Sequence, residues 1–394
     1  MKILHTSDWH LGKKLEGFPR INEQKEILDE IAEIAEKENV DLVIAAGDVY
    51  DTFVPQSEAE DLFFDSAVKL SANGRILIII SGNHDDALRL SASDPLAEKS
   101  GIYIAGGEIG KTRSAPSCCK RLKFICGGEN YFVFEDKNGQ KVYINALSYP
   151  TEARVNEKVI ENESYTEKIA RWINDGFKNN IDGLPEILVS HLFMLGGEKS
   201  GSEREIELGG TRIVPPSVIP QECLYTALGH LHKRQIVSKE RNIIYSGAIA
   251  EYSFDEAGIK KSVTVFDIDN GKLNNLHEAE LKRGRKLANI SAVSVEDAEK
   301  LLEKYKDYYV SLTLELNRPL EYAENKKLRQ TYPNIVSLIL SNPESGENSD
   351  FKSRRELSDR DLFVEFYKSR YGSEPESGLI ELYLSILNEE REKL

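Results

Sequence analysis

Histidine is scarce in this chain, seven in all, and five of the seven fall in short polar motifs. Asp8-Trp9-His10 sets a carboxylate and an imidazole two residues apart. In an extended segment that spacing points both side chains the same way, so they can share one metal. Gly47-Asp48-Val49-Tyr50-Asp51, Gly82-Asn83-His84-Asp85 and Ser190-His191 follow in turn. Gly229-His230-Leu231-His232 closes the series with a pair of imidazoles two apart. Counted as ligands, Asp8, His10, Asp48, Asn83, His191, His230 and His232 offer nitrogen and oxygen donors and no sulfur. One four-coordinate metal does not need seven donors. Two metals sharing a bridging carboxylate do, and two-metal sites are a recurring way to hydrolyse phosphate esters. Asp48 is the natural bridge, because one carboxylate has two oxygens. Mixed imidazole and carboxylate donors suit Mn, Fe, Co or Zn better than a purely oxygen-seeking ion. His84 is left over beside Asn83, placed to protonate a leaving alkoxide or to hold the transferring phosphoryl group. A single such motif occurs by chance; the signal is the whole set in this order.

The elements around the motifs explain how they could meet. Lys2–Thr6 reads as a short strand, 41–46 and 75–80 as continuous apolar strands, and 186–190 and 224–228 as two more. Every motif lies just after one of them. In sheets of this kind ligands bind outside the carboxyl ends of the strands, so the five motifs can converge. Helical spacing marks 21–37 and 57–70 between the first three strands, a βαβ organisation. Further on, 124–126, 131–135 and 141–146 read as short strands, 164–177 as a helix, and 234–238, 243–246 and 262–268 as antiparallel strands. Asn270-Gly271 is a turn signal. Near Leu281 the character changes at the basic run Lys282, Arg283, Arg285 and Lys286. Beyond it, helix 295–305, strand 309–315, helix 320–330 and strand 335–340 form a small α/β unit. The segment 342–350 reads as a linker, and the rest as two short helices carrying Phe363, Phe366, Tyr367, Tyr383 and Leu387.

Composition sets limits. A chain of 394 residues with 40% hydrophobic residues can bury a sizeable core in two or three domains, which excludes wholesale disorder. The longest aliphatic run, Ile76 to Ile80, is far too short to span a bilayer. The opening residues turn polar at once, so no secretory leader is expected and the default compartment is the cytosol (cytoplasmic). The net charge of −15 excludes grip on DNA by bulk electrostatics and asks for a local basic groove, bound cations or a basic partner. The four cysteines form no CxxC pair and read as reduced, mostly buried thiols. Of the basic clusters, Lys111 with Arg113, and Lys120, Arg121 and Lys123, read as solvated faces. The run 282–286 is the better candidate for DNA.

The five motifs in this order resemble the signature of the calcineurin-like metallophosphoesterases, and the match is complete at every motif. The resemblance implies an α/β two-sheet sandwich flanked by helices, with a dinuclear metal site between the sheets. It would place one metal on Asp8, His10, Asp48 and His232, and the other on Asp48, Asn83, His191 and His230, with His84 as the catalytic histidine. Asp51 and Asp85 would lie behind the ligands as orienting residues, or serve only as turn residues.

Within that family the opening 1–12, Gly47 to Thr52, Ser81 to Asp85, Ala227 to His232, Tyr245 to Gly247 and Ser253 to Glu256 are similar to the SbcD branch of nuclease subunits. That resemblance implies a Mn-dependent nuclease acting on DNA ends and hairpins, two divalent metal ions, and an SbcC-like ATPase partner with a long coiled coil. It further implies a homodimer within a heterotetramer, and no membrane. It divides the chain into a nuclease domain over 1–280, a capping domain over 281–345, and a linker with a helix-loop-helix docking segment over 346–394. The dimer helices would present Leu62, Phe63, Phe64 and Val68, and Leu88, Leu90 and Leu96. Adjacent Phe63 and Phe64 cannot easily face one core, so one of them could face a partner. The competing readings are a phosphodiesterase or phosphatase for nucleotides or other small phosphate esters, and a scaffold that has lost catalysis. The extra domain speaks against the first, and the complete ligand set against the second.

Overall fold

The apolar runs take the strand positions their periodicity demands. In the computed structural model, residues 1–106, 112–116, 119–128, 130–150, 163–203 and 212–341 are described, with a few positions between 360 and 383. Ile76, Ile78 and Ile80 face one way and Leu77 and Ile79 the other, as a pleated strand requires, and both sets are buried. The strand therefore lies between two apolar layers.

One sheet has six strands in the order Lys272–Glu280, Ser262–Asp269, Lys2–Thr6, Leu42–Ala46, Ile76–Ile80 and Ile102–Ala105. From Lys2–Thr6 to Ile102–Ala105 the pairing is parallel. The second sheet has seven strands, in the order Gln235–Ser238, Ile243–Tyr245, Cys223–Gly229, Glu186–His191, Lys141–Leu147, Tyr131–Glu135 and Lys123–Gly127. Between the sheets Ile44, Ile78 and Phe266 pack with Phe132, Ile144, Val189 and Ala227. Helices Ile21–Lys37 and Ser57–Leu70 cover the outer face of the first sheet through Ile27, Ile31, Leu62 and Phe63. Helix Tyr165–Phe177 covers the second through Ile169, Trp172 and Ile173. Its start is a reciprocal capping box: Ser164 accepts the Glu167 backbone N–H, and the Glu167 carboxylate accepts that of Ser164. The result is the layered α/β sandwich expected.

A third sheet of three strands, Leu287–Ala292, Tyr309–Glu315 and Ile335–Ser341, carries helices Val295–Lys304 and Tyr322–Thr331. The chain divides into two compact units. The larger holds Met1–Leu314 and Glu321–Ile339, the smaller Glu315–Leu320 and Leu340–Leu394. Within the larger, Leu287, Tyr309 and Val336 pack with Leu15. Within the smaller, Phe363 and Tyr383 stack with ring centroids 4.2 Å apart. The linker 342–350 and Leu387 lie outside the described residues. Among those described, no helix is long and apolar enough to cross a membrane.

Two expectations are corrected and one unmarked strand is found. Arg113 is not on a solvated face: it is buried, donating to Asp94 and Glu98, the latter at 3.0 Å. A desolvated guanidinium needs such partners. Of the three described cysteines only Cys223 is buried, and Cys126 is exposed. Strand Lys272–Glu280, which the residue pattern did not mark, pairs antiparallel with Ser262–Asp269 across the Asn270-Gly271 turn. Its side chains are mostly exposed and so show no clean alternation.

Candidate metal centre

Five strands end at one place, three from the first sheet and two from the second. The Asp8 N–H donates to the Gly47 carbonyl at 3.0 Å, and the His10 N–H to the Asp48 carbonyl at 3.0 Å, so the first two loops run side by side. Two glycines let the rest close in. A Cβ on Gly82 would lie 2.0 Å from Asp48 Oδ1, and one on Gly229 would lie 1.9 Å from the Ala46 carbonyl oxygen. Asp8 Oδ1 accepts the His230 N–H at 2.9 Å, and Asp48 Oδ1 accepts the His84 N–H at 2.9 Å. Asp8 thereby ties the loops of the two sheets together, and Asp48 ties two neighbouring loops of the first sheet.

The reason Asp8 and His10 converge differs from simple strand alternation. Asp8, His10, Asp48 and His230 all have left-handed backbones, with φ of 51°, 43°, 49° and 105°. Each chain turns sharply as it leaves its strand, which swings the side chain into the site.

All seven expected ligands and His84 are buried, and they come together. Donor atoms form three overlapping groups, each within 4.8 Å: Asp8, His10 and His232; His10, Asp48 and His84; Asp48, His191 and His230. Asp48 belongs to two of them, its Oδ2 lying 3.6 Å from His10 Nε2 and 3.3 Å from His191 Nε2. Asn83 Oδ1 lies 3.0 Å from His191 Nε2 and 3.1 Å from His230 Nδ1. His84 stands beside His10, ring centroids 4.7 Å apart, with its Nδ1 2.8 Å from the Asp51 carbonyl oxygen.

The charges fit cations. Burial pushes the His10 imidazole down to about 3, and burial first, then the His191 charge, holds His230 well below its usual value. These rings are neutral and can offer lone pairs. His10 Nε2 and His232 Nε2 face each other at 2.9 Å. His10 Nδ1 faces Asp51 Oδ1 at 3.5 Å and His232 Nδ1 faces Glu256 Oε1 at 3.2 Å. With the protons on the outer nitrogens, both inward lone pairs are free to hold one cation. In the other group burial lowers His191, but the Asp48 carboxylate outweighs it and raises His191 to about 9. A proton there takes the place of a metal charge. Burial raises the Asp8 carboxyl to about 6. The donor set therefore fits divalent metal ions.

Asp51 also accepts from Lys13 Nζ at 3.0 Å. Asp85 accepts three backbone N–H groups, from Val49, Tyr50 and Gly82, at 3.1, 2.8 and 2.8 Å. Several residues with no motif of their own complete the site. Gln24 Nε2 donates to the His10 carbonyl at 2.8 Å and its Oε1 accepts the Gly12 N–H at 3.0 Å. Glu203 accepts the His232 N–H at 3.0 Å. Glu256 and Lys261 stand behind His232. Glu256 lies in one of the blocks that carry the resemblance, but the block alone assigns it no role.

The basic run is partly neutralised. Arg283 pairs with Glu33 at 2.6 Å, and Arg285 lies over the Tyr309 ring at 4.9 Å. Lys282 and Lys286 remain exposed.

The family model described as calcineurin-like phosphoesterase matches residues 1–234. A second, described as type 5 capsule protein repressor C-terminal domain, matches residues 283–371. The SbcD subunit of nuclease SbcCD from Bacillus subtilis (strain 168) is 33% identical over 402 residues, covering 98% of this chain and 97% of that protein. The corresponding SbcCD nuclease subunit of Staphylococcus epidermidis is 31% identical over 376 residues, covering 94% and 93%. Among solved structures, TT1561 of Thermus thermophilus aligns with a TM-score of 0.38 at 12% identity, covering 71% of this chain and 99% of that one. A dimetal phosphatase from Danio rerio aligns with a TM-score of 0.41 at 10% identity, covering 72% and 99%. At such scores neither structural likeness carries weight.

Proposed function

The chain belongs to the calcineurin-like phosphoesterase family, in the branch of the SbcD nuclease subunits, and from that premise we propose that it is a Mn-dependent DNA nuclease subunit of an SbcCD-type DNA repair complex. It acts as a double-strand exonuclease and as an endonuclease on single strands and hairpins. The observation that carries this reading is the meeting of overlapping donor groups at Asp48, with His84 beside them. Asp8, His10, Asp48 and His232 hold one metal; Asp48, Asn83, His191 and His230 hold the other. Bound there, the ions stabilise the charge that develops on the phosphoryl oxygens. His84 gives a proton to the leaving alkoxide oxygen, its ring held by the Asp51 carbonyl. Asp51 orients His10, and Asp85 fixes the loop that carries Asp48.

Residues 1–280 form the nuclease domain, 281–345 a capping domain that helps hold DNA, and 346–394 a linker and helix-loop-helix that docks on the coiled coil of an SbcC-like ATPase. A homodimer within that complex uses the exposed Phe64, Val68, Leu88 and Leu96. The protein works in the cytoplasm. Its acidic balance is answered locally by the metals, by Lys282 and Lys286, and by the partner.

The test is incubation with linear double-stranded DNA and with a DNA hairpin, with and without Mn²⁺, beside His84→Ala. Metal-dependent cleavage of both DNAs that the variant loses is expected. Hydrolysis of a small phosphodiester without cleavage of either DNA, in the presence of the ATPase, overturns the DNA assignment and leaves a small-molecule phosphodiesterase. Cleavage surviving in His84→Ala overturns the role of His84.

A further inference from the structure

We infer that Glu256 is a positioning residue for His232, and through it for the metal of the Asp8, His10 and His232 group alone; this rests on the two-metal reading above. Glu256 is fully buried. Its Oε1 lies 3.2 Å from His232 Nδ1, and the Ser202 hydroxyl contacts both atoms. Its Oε2 accepts from Lys261 Nζ at 2.6 Å and from the Tyr252 N–H at 3.3 Å. The same Lys261 Nζ donates to the His232 carbonyl at 3.0 Å. Lys261 thus grips the backbone of His232 and the carboxylate behind its ring together.

A carboxylate can only accept; with the Ser202 hydroxyl donating to Glu256 Oε1, His232 Nδ1 is left to donate to both oxygens, which places the lone pair on Nε2. That nitrogen is the one 2.9 Å from His10 Nε2. A buried carboxylate beside one lysine is costly in a fold that could have used neutral side chains, and its placement here does one thing a neutral group would do less well. A carboxylate behind an imidazole fixes the tautomer and strengthens the ring as a donor.

The other half of the site is built differently. His191 Nδ1 faces a neutral backbone oxygen, that of Ala46, at 2.9 Å. No substitution of a side chain can remove that support. The two halves therefore differ in how they can be weakened. Loss of the Glu256 charge acts on the Asp8, His10 and His232 half and spares the Asp48, His191 and His230 half.

The experiment is calorimetric titration of the metal-stripped full-length chain with Mn²⁺, backed by metal content after desalting. The proteins are the wild type, Glu256→Gln, Glu256→Asp, His232→Ala and the double variant Glu256→Gln with His232→Ala. Glu256→Gln keeps the volume and removes the charge. Wild type is expected to bind two Mn²⁺ per chain. Glu256→Gln should bind one with unchanged affinity and the second about 10–100-fold more weakly. Glu256→Asp should recover part of that loss, and adding Glu256→Gln to His232→Ala should weaken the second ion no further. Two unchanged sites in Glu256→Gln overturn this inference and leave the two-metal reading intact. Equal weakening of both sites also overturns it, since Glu256 would then support the whole centre. A wild type that binds fewer than two ions removes the premise and the inference with it. Melting of the metal-stripped chains shows whether Glu256→Gln is folded; if it is not, Glu256→Asp alone carries the comparison.

Discussion

Two regions of this molecule break the ordinary rule of burial, in opposite senses. At the strand ends, eight ionisable or amide side chains, Asp8 to His232, are 0–9% exposed. On helix Ser57–Leu70 and the segment after it, Phe64, Val68, Leu88 and Leu96 are 48–73% exposed. Polar groups are inside where apolar ones belong, and apolar groups are outside where polar ones belong. The buried donors fit cations, and the exposed apolar side chains offer contact area to another surface. The two also differ in rigidity. Asp8 and Asp48 each accept a backbone N–H from a different loop of the site, whereas the apolar side chains project from elements linked at the surface by the Arg89–Glu60 pair. The first region is preorganised for small ions, and the second offers area.

That contrast can be broken at its strongest point with Asp48→Asn. The substitution keeps the shape and removes the charge shared by two donor groups. Both ions should be lost, and DNA cleavage should fall about a thousandfold or more. Metal content by mass spectrometry checks it, and two retained ions would remove Asp48 from the bridging position. Next in size is the effect of metal on stability. At free Mn²⁺ about a hundred times the dissociation constant, each occupied site adds about 2.7 kcal/mol. Melting followed with Mn²⁺ and again after chelation should show a rise of several degrees with metal, and no rise would mean that the buried donors do not bind cations.

How much of this was legible beforehand depended on distance along the chain. Each motif is a few residues at a strand end, and the apolar runs 42–46 and 76–80 announce their strands without help. Helices Ile21–Lys37 and Ser57–Leu70 emerge with the boundaries their periodicity sets. What holds the ligands in place was not legible, because it comes from far away. Gln24 reaches the His10 carbonyl and Glu256 reaches His232 through tertiary packing that no spacing encodes. Arg113 looked like surface because its partners, Asp94 and Glu98, lie on another element. Phe63 and Phe64 posed a question that sequence left open: Phe63 is in the core and Phe64 is half exposed.

The apolar side of the comparison is sharpened by Phe64→Glu with Val68→Glu. Light scattering after gel filtration should show a wild-type dimer and a variant monomer. At dilutions where the wild type is itself monomeric the two melting points should scarcely differ, since surface substitutions cost within about 0.5 kcal/mol. A wild type that is monomeric at all concentrations would leave that surface to a different protein. The smallest effect concerns protons. His191 is raised from 6.5 to about 9, so near neutral pH the metal-free ring carries a proton that metal must expel. Titration of Mn²⁺ in buffers of different ionisation enthalpy should show about one proton released per chain near neutrality, vanishing above the raised value. In the metal-free chain the raised value stabilises the fold fully below 6.5, and that contribution is lost as pH climbs through about 9. Release that grows with pH would reverse the assignment.

The left-handed backbones at Asp8, His10, Asp48 and His230 bear on how such a protein can change over generations. A non-glycine residue held there costs about 1–2 kcal/mol, which glycine, and in part asparagine, would relieve. A library selected only for survival of heat would therefore enrich glycine or asparagine at these four positions and return sturdier proteins that cut nothing. Selection for cleavage would restore the strained residues, so the two screens should diverge first at the strand ends.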